Sequence, residues 1–253
     1  MAPASPPIAI AELRRRLERL ESDARAEGAV LPFGVPSLDG HLPGGGLALG
    51  HLHEVIEGGA AGEYAAVATL FAAGILARIP GPVLWCLRGR DLFAPALARI
   101  GLHPDRVVCC ETWKDSDVLP AMEEGLRCNG LAGVIGEVTK LSLTASRRLQ
   151  LCAGQSGVTA LVVRRWHNAN ERALAGDPNA ATTRWRVSPS PSIADGFEGL
   201  LRQRWLVELV RCRGGETYSC VLEACDEEGH LALPTEMAER PAAADDQRRA
   251  VAG

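Results

Sequence analysis

The segment best placed to do chemistry is Glu57-Gly58-Gly59-Ala60-Ala61-Gly62-Glu63-Tyr64. It follows the run HLHEVI and opens an alanine-rich run ending at Ile79, so it reads as strand, glycine turn and helix. A phosphate-binding loop, G-x-x-x-x-G-K-[ST], sits in that context. Its backbone N–H groups wrap the phosphates, its lysine meets the β and γ oxygens, and its hydroxyl holds magnesium. Aligning the second glycine of the pattern on Gly62 puts Glu57 at the first glycine, Glu63 at the lysine and Tyr64 at the hydroxyl. A carboxylate in place of an ammonium turns attraction into repulsion. At about 4 Å and an effective dielectric near 20, one such contact is worth about 4 kcal/mol. Reversing its sign costs more than roughly a thousandfold in affinity at ~1.4 kcal/mol per decade. The loop shape is expected to survive and ATP hydrolysis to be lost.

The neighbouring catalytic positions are thin as well. Glu137, in the run LAGVIGEV, stands near the place of a magnesium-binding aspartate. Asp91, just beyond the run PVLWCL, is the acid nearest the place of a catalytic base, and it lies beside Arg88 and Arg90. An unconventional phosphate grip by Arg88 or Arg90 would make the chain a DNA-dependent ATPase, and this is the enzymatic alternative.

A second group of residues combines cations with aromatic rings: Arg164-Arg165-Trp166-His167, Arg184-Trp185-Arg186, Arg202 with Arg204-Trp205, and Arg211 with Arg213. Arginine neutralises phosphate and tryptophan offers a face to a base, the chemistry of single-strand binding. The same pattern fits a protein partner, or core tryptophans with a solvated arginine rim. His51 and His53 are two apart on a strand and make at most half a zinc site, so packing histidines are expected. The eight cysteines contain no C-x-x-C pair and fall in apolar runs, as reduced, packed cysteines do. No G-x-S-x-G nucleophile elbow is present. No cofactor and no metal are expected.

Around these groups the elements alternate. Strands are predicted at PVLWCL, Val107–Cys110, LAGVIGEV and Val158–Val163, and helices at Leu92–Ile100, Val118–Arg127 and Ser142–Cys152. Short strands alternating with helices imply a mainly parallel sheet covered on both faces. The positions from Asn168 to Ser192 read as a polar loop around the short run TTRWRV, and Arg202–Ala224 as a β-hairpin turning at Gly214-Gly215. Before Gly28, Ile10, Leu13, Leu17 and Leu20 recur at helical spacing on an otherwise charged segment. This stripe either lies on the domain or docks to another copy or a partner. The organisation expected is an N-terminal tail and amphipathic helix over 1–28, a core with its hairpin over 29–236, and a flexible tail over 237–253.

At 253 residues and 47% hydrophobic, the chain can bury a substantial core, and no run approaches the roughly 18 apolar residues of a membrane span. The charge of −4 is uneven: residues 140–213 carry 12 basic and 5 acidic side chains, and the last 40 carry 3 and 9. One basic face is expected, while the total opposes tight nonspecific DNA binding by the whole chain. A cytoplasmic location follows from reduced cysteines and the absence of a signal pattern.

The order LPFGVPSLDGHLPGGGLALGHLHEVIEGGAAGEYAA resembles the opening of RecA-like ATPase cores. Together with ATTRWRVSPSPS at Ala181–Ser192, it makes the chain similar to the ImuA family of RecA-like inducible mutagenesis proteins, also labelled SulA-like, from about Leu31 to Ala224. The resemblance implies an α/β, RecA-like fold. It also implies a non-catalytic accessory factor of SOS-induced, error-prone translesion synthesis, scaffolding a mutagenic polymerase complex. Implied partners are ImuB, an inactive Y-family polymerase homologue, and an error-prone C-family DNA polymerase. RecA, single-stranded DNA and a second copy of the chain are further candidates. In RecA-like recombinases the loop after the strand matching Val158–Val163 touches single-stranded DNA, which points to Arg164–His167. The SulA-like label adds a division inhibitor as a second alternative. Replacing Leu13 and Leu17 by Asp is expected to leave the core folded and to shrink any assembly that the stripe holds, as read by light scattering.

Overall fold

A computed structural model describes residues 29–59, 61–89, 91–166, 176–191 and 202–234. The stripe Ile10/Leu13/Leu17/Leu20, Arg90, His167 and the tail after 234 lie outside the described residues.

The strands are β1 (Val30–Leu31), β2 (Leu47–Ala48), β3 (Leu52–Glu57), β4 (Val83–Leu87), β5 (Val107–Glu111), β6 (Gly133–Val138), β7 (Thr159–Arg164), β8 (Thr183–Ser190), β9 (Arg204–Cys212) and β10 (Tyr218–Glu223). The helices are α1 (Ala61–Ala77), α2 (Ala94–Ala98), α3 (Asp115–Leu126) and α4 (Leu143–Ser156). An eight-stranded sheet runs β10-β9-β8-β3-β7-β6-β4-β5. From β8 to β5 every pairing is parallel, and β9 and β10 add an antiparallel margin. β1 and β2 form a separate antiparallel pair within the glycine-rich connector.

This is the expected α/β architecture, a mainly parallel sheet flanked by helices. Every residue of β3, β6 and β7 is buried, as strands covered on both faces must be. The sheet separates two apolar clusters. One joins α1 to Val55, Trp85, Leu161, Trp185 and Trp205. The other joins α3 and α4 to Leu52, Cys86, Val134 and Val162. Helix α1 is apolar all round because the hairpin also covers it: a Cβ on Gly74 would lie 2.4 Å from Cys225 Sγ. Helix α4 is bounded by its own chemistry. The Ser142 hydroxyl accepts from the Ala145 N–H, and Gly157 at φ 74° closes its C-terminus. Gly50 packs there, and a Cβ on it would meet Gly157 Cα at 3.2 Å.

One expectation is corrected. TTRWRV is not a short run within a loop but the start of β8, an eight-residue strand parallel to β3. Its arginines mask the strand pattern, and the reason for them lies in the partners they meet. Glu54 of β3, fully buried, accepts from Arg164 Nη1 of β7 at 3.1 Å, Arg184 Nε of β8 at 2.5 Å and Asn179 Nδ2 at 2.8 Å. Arg164 Nε also donates to Thr139 O at 2.9 Å. Removing one partner of such a buried set leaves uncompensated charge at a cost of about 3–5 kcal/mol. Glu54→Gln should therefore lower the urea-unfolding free energy by about 3–5 kcal/mol. Glu208→Gln, which breaks the half-exposed pair with Arg186, should lower it by less than about 1 kcal/mol.

Candidate functional site

The carboxyl ends of β3, β4, β6 and β7 converge, the usual ligand-binding place of a parallel sheet. Glu57 ends β3, Glu137 lies in β6, Asp91 follows β4, and Arg165 follows β7. The structure therefore brings together Glu57, Glu137, Asp91 and Arg165. Gly62, Glu63 and Tyr64 occupy the first turn of α1, directly after the turn made by Gly58 and Gly59.

Arg165 sits at the centre. Its Nη2 donates to Asp91 Oδ2 at 2.8 Å and its Nη1 to Glu137 Oε2 at 2.5 Å. The other oxygen of Glu137 accepts from Trp85 Nε1 at 2.8 Å, which fixes the carboxylate from inside the core. Burial works against the Arg165 charge, but the bond to Asp91 and the field of Glu137 outweigh it, so the guanidinium holds its proton more tightly than usual.

Glu57 is placed differently. It is 1% exposed, no side chain hydrogen-bonds its carboxylate, and the nearest cation, Arg165 Nε, is 3.9 Å away. Burial pushes its carboxyl up to about 7, against the pull of Arg165 and with the help of Glu137. The turn beyond it is pinned on two sides. Gly58 N–H donates to Val187 O at 3.0 Å, prolonging the β3–β8 ladder, and Trp166 Nε1 donates to Gly59 O at 3.1 Å. A side chain on Gly58 would overlap Ser188, so this glycine is required by close approach to β8.

A cavity of about 100 Å³ opens beside the cluster, lined by Arg88, Asp91, Asp115, Glu137, Thr139 and Arg165. Pockets for cofactor-sized ligands run to roughly 300–1,000 Å³. Asp115, which opens α3, accepts the Thr139 N–H at 3.1 Å and 3.2 Å, so its charge is also directed at this space. The arrangement is one half-buried cation held by an excess of carboxylates, so the crevice presents an acidic mouth. Among the described residues no group of three His, Cys, Asp or Glu side chains could hold a metal ion.

The second predicted group is dispersed. Trp166, Trp185 and Trp205 are at most 2% exposed and belong to the interior, so none offers a face to a base. Trp185 packs edge-on to Phe33 at 5.2 Å and donates from Nε1 to Thr183 Oγ1 at 2.7 Å. Arg164 and Arg184 are committed to Glu54, and Arg186 to Glu208 through paired bonds of 2.5 Å. Arg202 donates to the carbonyls of Ala224 and His230. Arg211 is held by Asn179 and Ala181, and Arg213 reaches Ala180 O. Arg204 stands half-buried at the start of β9. The expectation of a shared arginine–tryptophan face is thus corrected: β-strand alternation puts the rings inside, and the guanidiniums satisfy carboxylates and loop carbonyls. His53 is a packing histidine. Its Nε2 donates to Ala48 O and its Nδ1 accepts from the Thr183 hydroxyl, while burial pushes its pKa down to about 4. His51 precedes the strand and bonds Leu49 O.

Sequence reading missed the roles of Glu54 and Trp85. The signal for Glu54 was present: a carboxylate within the short strand LHEVIE, with arginines in two other strands.

A carboxyl whose folded pKa lies near 7, above the ordinary 4.5, binds its proton where the unfolded chain has lost it. Its stability contribution is therefore intact below about pH 4.5 and is given up as pH rises to 7. Glu57→Gln should match the parent near pH 4.5 and exceed it by about 3 kcal/mol above pH 7.5, in urea unfolding followed across pH.

No protein-family model matches the chain. Two curated proteins, each named Protein ImuA and from two strains of Caulobacter vibrioides, are 36% identical over 244 residues, covering 91% of this chain and 99% of theirs. Among solved structures, SulA from Pseudomonas aeruginosa is similar at 20% identity and a TM-score of 0.38, over 45% of this chain and 96% of that one. Identity at that level along nearly the whole of both sequences shows that the chain belongs to the ImuA family.

Proposed function

We propose that the chain is a non-catalytic, RecA-like accessory factor of damage-induced, error-prone translesion DNA synthesis, and that it acts as an assembly scaffold in the cytoplasm. Its proposed partners are ImuB, the inactive Y-family polymerase homologue, and an error-prone C-family polymerase. The observation that carries this reading is the Arg165 guanidinium seated among Glu57, Glu137 and Asp91, where a nucleotide site would need open space and positive charge. Three further features support it. The lysine and hydroxyl positions of the phosphate loop hold Glu63 and Tyr64, the Gly58 amide is spent on Val187, and the adjoining cavity is small. Triphosphate oxygens arriving there would meet carboxylates at a separation where each unit charge costs several kcal/mol, about 4 at an effective dielectric near 20. A domain built this way acts through its surfaces.

Kinship with the ImuA proteins of Caulobacter supports the choice of pathway. Among the described residues no helix is long and apolar enough to cross a membrane. The purified chain should show no ATP turnover above background with or without single-stranded DNA, no calorimetric binding of Mg-ATP, and co-purification with the inactive polymerase homologue from damaged cells. Turnover stimulated by single-stranded DNA would replace the scaffold with a motor.

A further inference from the structure

The parallel part of the sheet ends at β5, which among the described residues pairs with β4 alone. Thr112 N–H donates to Leu87 O at 2.9 Å. The parallel ladder then alternates, so Val108 and Cys110 bond toward β4 while the N–H and C=O of Val107 and Cys109 point out of the sheet. Natural sheets guard such edges with short strands, charged side chains (lysine above all), proline or a bulge, and β5, five residues long, carries one charge, Glu111 at its end. The run Val107-Val108-Cys109-Cys110-Glu111 has no lysine or proline, and its register with β4 is unbroken. Val108 is 55% exposed, Cys109 is exposed, and Trp113, two residues past the strand, is 95% exposed.

We propose that β5 pairs antiparallel with β5 of a second copy of this chain, across a two-fold axis at Cys109, so that two eight-stranded sheets become one. The strand is complementary to itself in this register. Cys109 faces Cys109 of the second copy as a hydrogen-bonded pair, and Val108 faces Cys110. Glu111, the one charge of the strand, faces Val107. Other axes fail. One at Glu111 sets two carboxylates opposite each other, which destabilises a strand pair. One at Val107 runs the pairing into the 3₁₀ turn Pro104–Arg106. The interface is isologous and closed, so it yields a dimer and not a filament.

The test uses the full chain with Leu13→Asp and Leu17→Asp, so that the N-terminal stripe takes no part. Light scattering should give twice the chain mass of 26.9 kDa. Adding Cys109→Asp, or separately Cys109→Lys, puts like charges face to face on the axis, and each should halve the mass with an unchanged far-ultraviolet dichroism spectrum. Mixing the Asp and Lys chains in equal amounts should restore the dimer, because opposite charges then meet at the axis. Val108→Lys, at an exposed position that leaves the β4 ladder intact, should also halve the mass and stands in if a Cys109 variant misfolds. A monomeric parent, with the edge left to an extended segment of another protein or of this chain, would overturn the proposal. So would a dimer indifferent to Cys109→Asp, or an Asp–Lys mixture that stays monomeric.

Discussion

The fold depends on one carboxylate in the middle of a dry sheet. Glu54 has no access to water, and its two oxygens are shared among Arg164, Arg184 and Asn179. Isolated burial of any of these charges would be prohibitive, so the three elements that carry them must come together or none can be buried. This constraint places β3 between β7 and β8, with Glu54 level with Val162 on one side and Arg184 on the other. A hydrophobic core of similar volume would be at least as stable. The charges supply register: a shift of β8 by one residue would put Arg184 on the opposite face, away from Glu54.

Register at Glu54 fixes what happens three residues later. Glu57 is carried to the end of β3, on the sheet face opposite Glu54, and Arg165 follows Arg164 out of β7. Alternation along β7 makes consecutive arginines serve different purposes, one inside the sheet and one across its carboxyl edge. Arg165 then reaches three carboxylates from three segments, while Trp85 locks one of them, Glu137, from inside the core. Glu57 is left with burial and a distant cation, which accounts for its raised pKa. A strand-end crevice whose one cation is already taken up by carboxylates has little to offer an anionic ligand. The surfaces that remain unsatisfied lie elsewhere, at the outer edge beyond β4, where backbone groups and apolar side chains face outward.

The alternation of short apolar runs with helical ones determined the α/β class, the parallel core and the terminal hairpin, because burial on both faces demands continuous apolar strands. The charges at Glu57 and Glu63 were likewise plain in the sequence, since their signs do not depend on packing. β8 was hidden because its two arginines break the apolar pattern, and their carboxylate partners, Glu54 and Glu208, lie far away in sequence. The arginine–tryptophan clusters misled for the same reason: adjacent residues on a strand face opposite ways, so local composition cannot say which of them reaches solvent. Strand order was also beyond reach. Only the folded sheet decided that β7 separates β3 from β6, that Arg165 lands between Glu57, Glu137 and Asp91, and that β5 has, among the described residues, a neighbour on one side alone. Those facts are set by long-range pairing of charge and backbone, which no local stretch of sequence contains.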